Sequence, residues 1–292
     1  SSKRMMRLPH FDVRLEPLAT LGESLALVRR VVTGSGRPGA GFDVAEYELE
    51  HIFLNELDAR GRLGRIELFS PNHLAAAVVR LYERYAEAIP EGPERARAEA
   101  MVRTLRALLG PLDPGLWAAA LAPDVESVDH RPLATWSARG PDTMLEHFRS
   151  LGDVAADVAI SVDEVLALER DALLVRRTHG GTDRRGGGEY ERVFLALAAA
   201  GVDGRCAHLE WFDIDREAEA LARFAALTSG VAPEPPVRRR VRPNAASAKM
   251  ATVDEAFDRR DIDAMGALLS PTHGEGDHRT GAAWDGEGVL DS

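Results

Sequence analysis

One tripeptide occurs twice in this chain, each time followed at the same distance by tryptophan. Val128–Trp136 reads VDHRPLATW, and Gly276–Trp284 reads GDHRTGAAW. Internal similarity of this kind constrains a fold more than composition does, because a repeat is one structural unit written more than once. Upstream of each copy lies a matching segment, LWAAALAP at Leu116–Pro123 and AMGALLSP at Ala264–Pro271. A second set repeats out of phase with the first. LVRR stands at Leu27–Arg30 and at Leu174–Arg177, and GRLGRIELF (Gly61–Phe69) matches GRCAHLEWF (Gly204–Phe212).

The order along the chain is therefore back half, front half, back half, front half. Residues 101–228 are expected to form one complete module. Residues 1–88 are a back half, 229–249 a linker rich in Pro and Arg, and 250–292 a front half. Two readings of the ragged ends stand side by side. The chain is a piece of a longer tandem array, which fits a sequence that does not begin with Met. Or the two halves pair, within one chain or between chains, and rebuild a second module, since a half-built sheet leaves edges and apolar faces uncovered.

The totals suit a soluble globular chain. Of 292 residues, 45% are apolar and 28% charged, enough for a sizeable core. A net charge of −11 argues against a broad grip on nucleic acid or on an acidic membrane surface. The basic run Arg238–Arg242 sits among prolines and reads as a solvated linker. Cys206 is the single cysteine, so no intrachain disulfide forms, and a reducing, cytoplasmic setting is expected. No apolar run is long enough to span a bilayer, and SSKRMMRLPHF at the N-terminus lacks the apolar stretch of a signal peptide.

Within the complete module the hydrophobic period changes. Helical spacing is seen in Met101–Leu109, Leu116–Leu121 and Asp142–Leu151. From Val158 the period is two, giving strands at Val158–Leu168, Leu173–Thr178, Tyr190–Ala198 and Cys206–Phe212, before a last helix at Glu217–Leu227. Gly180-Gly181 and Gly186–Gly188 are expected to bracket a long loop. Helices followed by an antiparallel meander predict an α+β domain with helices on one face of the sheet.

This order, with DHR and a nearby Trp, a helix after Arg139-Gly140 and strands ending in LEWFD (Leu209–Asp213), resembles the SnoaL-like branch of the nuclear transport factor 2-like superfamily. The resemblance implies a curved sheet wrapped by helices into a cone with a pocket. Tandem bacterial copies of this kind resemble accessory regions of large signalling or ATPase proteins. The superfamily holds isomerases, polyketide cyclases, epoxide hydrolases and non-catalytic binders, so it leaves the function open.

Strand alternation puts His208, Glu210 and Phe212 on one side, and Tyr190, Arg192 and Phe194 on one side of the preceding strand. Arg176 and Thr178 alternate with Val175 and Arg177. Glu210 with Phe212, and the matching Glu67 with Phe69, are the strongest repeated candidates for a pocket. His208 could tune Glu210 as a general base. Alternatively, Glu210 is an ion-pair partner of Arg192 or Arg176. Asp129 and His130 could form an acid/base pair, or Asp129 and Arg131 could orient the segment while Trp136 fills the core.

No spacing marks a metal or phosphate site, and no cofactor is expected. Two classes of function remain. The chain is a module that binds a small apolar molecule, or one that mediates association within a larger protein, with self-association through its curved sheets. Or it is a cofactor-free isomerase, cyclase or hydrolase using Glu210 or Asp129, with Tyr190 or His208 polarising the substrate. Arg65 stands where the other copy has His208, which favours the first.

Overall fold

The computed structural model describes residues 10–35, 46–131, 137–155, 157–184, 186–229 and 241–285. In chain order the elements are strands β1 (His10–Leu21), β2 (Leu25–Ser35), β3 (Tyr47–Leu57) and β4 (Leu63–Phe69), then helices α1 (Leu74–Ala88), α2 (Pro93–Leu109) and α3 (Pro114–Ala120). Strands β5 (Leu121–Asp129) and β6 (Ala138–Arg139), helix α4 (Pro141–Val154), strands β7 (Ala159–Glu169), β8 (Ala172–Thr182), β9 (Glu189–Ala200) and β10 (Cys206–Phe212), and helix α5 (Glu217–Ser229) follow. Helices α6 (Ala245–Asp258) and α7 (Ile262–Leu268) and strands β11 (Leu269–Asp277) and β12 (Ala282–Asp285) complete the set. Among the described residues, no helix is long and apolar enough to cross a membrane.

The chain divides into two compact α+β units. Unit 1 draws on residues 1–77 and 242–292, and unit 2 on residues 78–241. Each holds one six-stranded sheet. The order in unit 2 is β7-β8-β9-β10-β5-β6, and in unit 1 it is β1-β2-β3-β4-β11-β12. The two orders correspond strand for strand. In both, an antiparallel meander ends on a strand that pairs in parallel with the DHR strand, Trp211 opposite Asp129 and Leu68 opposite Asp277. In unit 2 the DHR strand comes from upstream in the sequence, and in unit 1 from far downstream.

In unit 2, α5 covers one face of the sheet through Leu174, Leu195, Leu197, Phe212, Ala220 and Phe224. On the other side α4 packs on β5 and β6, and α3 packs on α2 and α4. Trp117 of α3, 2% exposed, meets Phe148 of α4 with ring centroids 4.2 Å apart. The Asp113 carboxylate caps α3 by accepting from the Gly115 and Leu116 N–H groups. In unit 1, Ala246, Met250, Val253 and Phe257 of α6 close over Val13, Ala26, Val28 and Val32. Asn244 opens α6 with a reciprocal capping box and donates its amide to the Gly22 and Leu25 carbonyls, fixing the helix to the β1–β2 turn.

Three local details differ from expectation. Helix α3 stops at Ala120, and the chain runs straight into β5 through Pro123, which carries no N–H. The ladder to β10 accordingly jumps from Leu121 to Glu126. Pro271 interrupts β11 in the same way. Gly180 and Gly181 lie inside β8 rather than in a loop, paired with Glu191 and Tyr190 of β9, and a Cβ on Gly181 would come 3.1 Å from the Tyr190 hydroxyl. Helix α6 begins at Ala245, inside the segment expected to be linker.

Candidate functional site

The DHR tripeptide divides between the two faces of its sheet. A strand alternates its side chains, so Asp129 and Arg131 point to one side and His130 to the other. On the α5 side, His130 Nε2 lies 2.8 Å from Glu210 Oε2, and the imidazole stacks on Phe212 at 4.4 Å with planes 9° apart. Arg223 of α5 donates Nε to the other Glu210 oxygen at 2.8 Å. Arg216 donates to the His130 carbonyl. Glu210 is 1% exposed, so its two bonds offset a carboxylate taken out of water.

Unit 1 repeats this arrangement. His278 Nε2 is 2.6 Å from Glu67 Oε2, and its ring stacks on Phe69 at 4.2 Å and 9°. Both histidine N–H groups of the main chain bond across to the meander, His130 to the Trp211 carbonyl and His278 to the Leu68 carbonyl. The His–Glu–Phe constellation ties the DHR strand to the last strand of the meander.

The opposite face of unit 2 carries a different set. Asp129 holds Arg131 through two side-chain bonds of 2.8 Å, which raises the arginine's pKa above its ordinary value. Arg131 lies 5.5 Å from the Phe194 ring centroid. Phe194 meets Trp211 edge-on at 5.4 Å, and Trp211 Nε1 donates to Ser127 Oγ at 3.3 Å. Between these rings sits Arg177, 2% exposed, with its guanidinium 6.0 Å from both ring centroids. Among the described residues its side chain has no hydrogen-bond or ion-pair partner, and its Nε is buried. Burial lowers its pKa to about 10, with Asp163 acting on it only as a more distant charge, so it stays cationic at neutral pH.

Next to it in β8, His179 packs edge-on against Phe194 at 4.6 Å, with a buried and unpartnered Nε2. Burial first, then the charges of Arg177, Arg131 and Arg192, push its pKa down to about 3. His147 of α4 feels Arg131 and Asp129 from the helix side, and its pKa is also lowered, chiefly by burial. The arrangement is a cation and a neutral imidazole set in an aromatic surround.

Several expected site residues fall elsewhere. Asp129 and His130 are on opposite faces and form no acid/base pair. Glu210 takes His130 and Arg223 as partners rather than Arg192 or Arg176, and His130 rather than His208 supplies its imidazole. Phe212 and Phe69 stack on histidines beside the buried Glu210 and Glu67. Arg176 turns to the α5 side and pairs with Glu164 and Glu217. Arg192 stands opposite His179 in the ladder, and Tyr190 opposite Gly181, further along the Arg177 face. Of the expected ligand residues that are described, Phe194 is the one whose ring lies near the Arg177 guanidinium. Trp136 lies outside the described residues. Cys206 is buried, which raises its thiol pKa to about 12 and leaves it protonated. Arg177, His179 and Trp211 were missed, although LVRR is repeated and its second arginine shares a face with Phe194.

No family model matches the chain, and no curated protein matches it. Among solved structures it is similar to a nuclear transport factor 2-like protein from Burkholderia thailandensis, at 24% identity over 45% of this chain and 98% of that one, with a TM-score of 0.33. It is similar to a SnoaL-like polyketide cyclase from Mesorhizobium loti at 14% identity, covering 39% of this chain and 97% of that one, TM-score 0.32. It is also similar to an epoxide hydrolase of M. tuberculosis at 19% identity, covering 46% and 98%, TM-score 0.33. The superfamily names that the sequence resemblance supplies recur among these. Each is matched over nearly its full length by less than half of this chain.

Proposed function

We propose that the chain is a small-molecule-binding module, and that unit 2 takes a compact ligand with an apolar or aromatic body and one carboxylate. The observation that carries this reading is Arg177. A guanidinium taken out of water without a counter-ion costs on the order of several kcal/mol, and a bound anion offsets that cost. Its planar fork suits a carboxylate, Phe194 and Trp211 offer apolar surface beside it, and His179 can hydrogen-bond in its neutral form. Glu210 is engaged by His130 and Arg223 on the far face, which supports the ion-pair reading of this carboxylate over the general-base one.

The test uses phenylacetate and 2-phenylethanol, which differ in the carboxylate, with calorimetry as the readout. Phenylacetate is expected to bind at least about tenfold more tightly than the alcohol, a typical margin for a charged hydrogen bond. Arg177→Met is expected to erase that difference. Equal affinity of the two compounds for the unaltered protein would overturn the reading.

A further inference from the structure

Unit 1 uses the same framework but lines it differently. The ladder places Arg30 opposite His51 where unit 2 has Arg177 opposite Phe194. Asn55, Ile66 and Glu275 form one row across the sheet, where unit 2 has Ala198, Leu209 and Ser127. Phe53 and Leu68 take the places of Ala196 and Trp211. A face that is largely aromatic and aliphatic in one unit is thus rich in hydrogen-bonding groups in the other.

The outlier is Asn55. It is 0% exposed, and among the described residues neither its amide nitrogen nor its amide oxygen has a partner. Buried amides are nearly always satisfied, because leaving donor and acceptor unpaired incurs the full cost of removing them from water. Arg30 adds a second unmet demand. Its guanidinium lies 4.2 Å over the Phe53 ring, its Nε is buried without a partner, and burial lowers its pKa to about 10. Glu275 acts on it as a charge without forming an ion pair, and lies 3.5 Å from His273 Nε2. His51 meets Arg279 at 2.6 Å through Nε2 and keeps a buried, unpartnered Nδ1. Phe53 lies between Asn55 and His51 on this face of β3, so the arginine head over its ring and the Asn55 amide occupy neighbouring places along the strand.

We infer that unit 1 holds a second ligand site, distinct in chemistry from that of unit 2, for a small molecule bearing both a carboxylate and an amide. The carboxylate meets Arg30 above Phe53, and the ligand amide takes the Asn55 donor and acceptor together, as only a group with both polarities does. Glu275 already supplies one negative charge near Arg30, which favours a ligand with a single carboxylate over a dianion. The inference does not depend on what occupies unit 2.

The test is calorimetry on the full chain with N-acetylglycine, which carries one carboxylate and one amide. Saturable binding is expected with a Kd on the order of 1 mM or tighter, the range open to so small a ligand. Asn55→Leu and, separately, Arg30→Met are each expected to weaken it by at least about tenfold, and Arg177→Met to leave it unchanged. Asn55→Leu is also expected to melt no lower than the unaltered protein, because it replaces an unpaired amide by an apolar group of similar volume. Absence of saturable binding would overturn the inference. So would binding that survives Asn55→Leu with a lowered Tm, the signature of an amide satisfied by internal water. If Asn55→Leu does not fold, the Arg30→Met result decides. Phenylacetate run on the same variants separates the two sites. Its loss in Arg177→Met alone speaks to unit 2, so either site can fail without the other.

Discussion

Adjacent residues of a strand meet different surroundings, and this chain uses the fact at every position that matters. Arg176 and Arg177 are neighbours, yet the first pairs with Glu164 and Glu217 and the second is enclosed with no counter-ion among the described residues. The same division separates Arg29, bonded to Glu16 and Glu50, from Arg30. Alternation was legible in the sequence; which face the helices would cover with core and which would keep unpaired cations was not, because that depends on α5 and α4 arriving from elsewhere in the chain. His179 offers a test at this scale. Its pKa falls from 6.5 to about 3 on folding, so between those values the unfolded chain holds a proton that the native protein does not. Stability therefore drops as pH falls through this window, and is unaffected by this group above it. His179→Phe should lose less stability than the unaltered protein between pH 6.5 and 4.5, by about 2 kcal/mol, measured by urea titration at each pH. Parallel losses in the two proteins would show that the imidazole is not held neutral.

At the scale of elements, the two hairpins written GRCAHLEWF and GRLGRIELF look interchangeable in sequence and are not so in space. Gly204 has φ +80, and a Cβ there would lie 2.3 Å from the Arg97 carbonyl oxygen of α2. Thr104 of the same helix donates to the Gly204 carbonyl, so α2 sits directly on the turn. Gly61 has φ +71 with nothing within 4 Å. Gly61→Ala should cost about 1 kcal/mol, the price of a left-handed backbone alone, whereas Gly204→Ala should cost about 3 kcal/mol because α2 must also move. Thermal melts compare the two directly, and equal costs would mean that α2 yields freely. The strand and helix periods announced most elements. Pro123 and Pro271 blurred their strands, since a residue without an N–H reads as a stop when it only interrupts a ladder.

For the molecule as a whole, the α+β class follows from the switch of hydrophobic period at Val158, and the strand orders of the two sheets correspond throughout. Unit 2 is drawn from a continuous stretch, whereas β11 and β12 join β4 only after the chain has passed through all of unit 2. A chain ending at residue 241 should accordingly protect amides of β7–β10 from hydrogen exchange as the full chain does, while β1–β4 exchange freely. Full protection of β1–β4 in that shortened chain would show that the meander needs neither β11 nor α6. The distance has a cost in time as well. His278 and Glu67 are 211 residues apart, and at about 5–20 residues per second a ribosome needs roughly 10–40 s to bring the second to the first. Through that interval the edge of β4 is open to any chain emerging beside it. On a crowded messenger, an earlier copy whose β11 is already made competes for that edge, so any exchange between copies should depend on how closely ribosomes follow one another rather than on the stability of the finished protein.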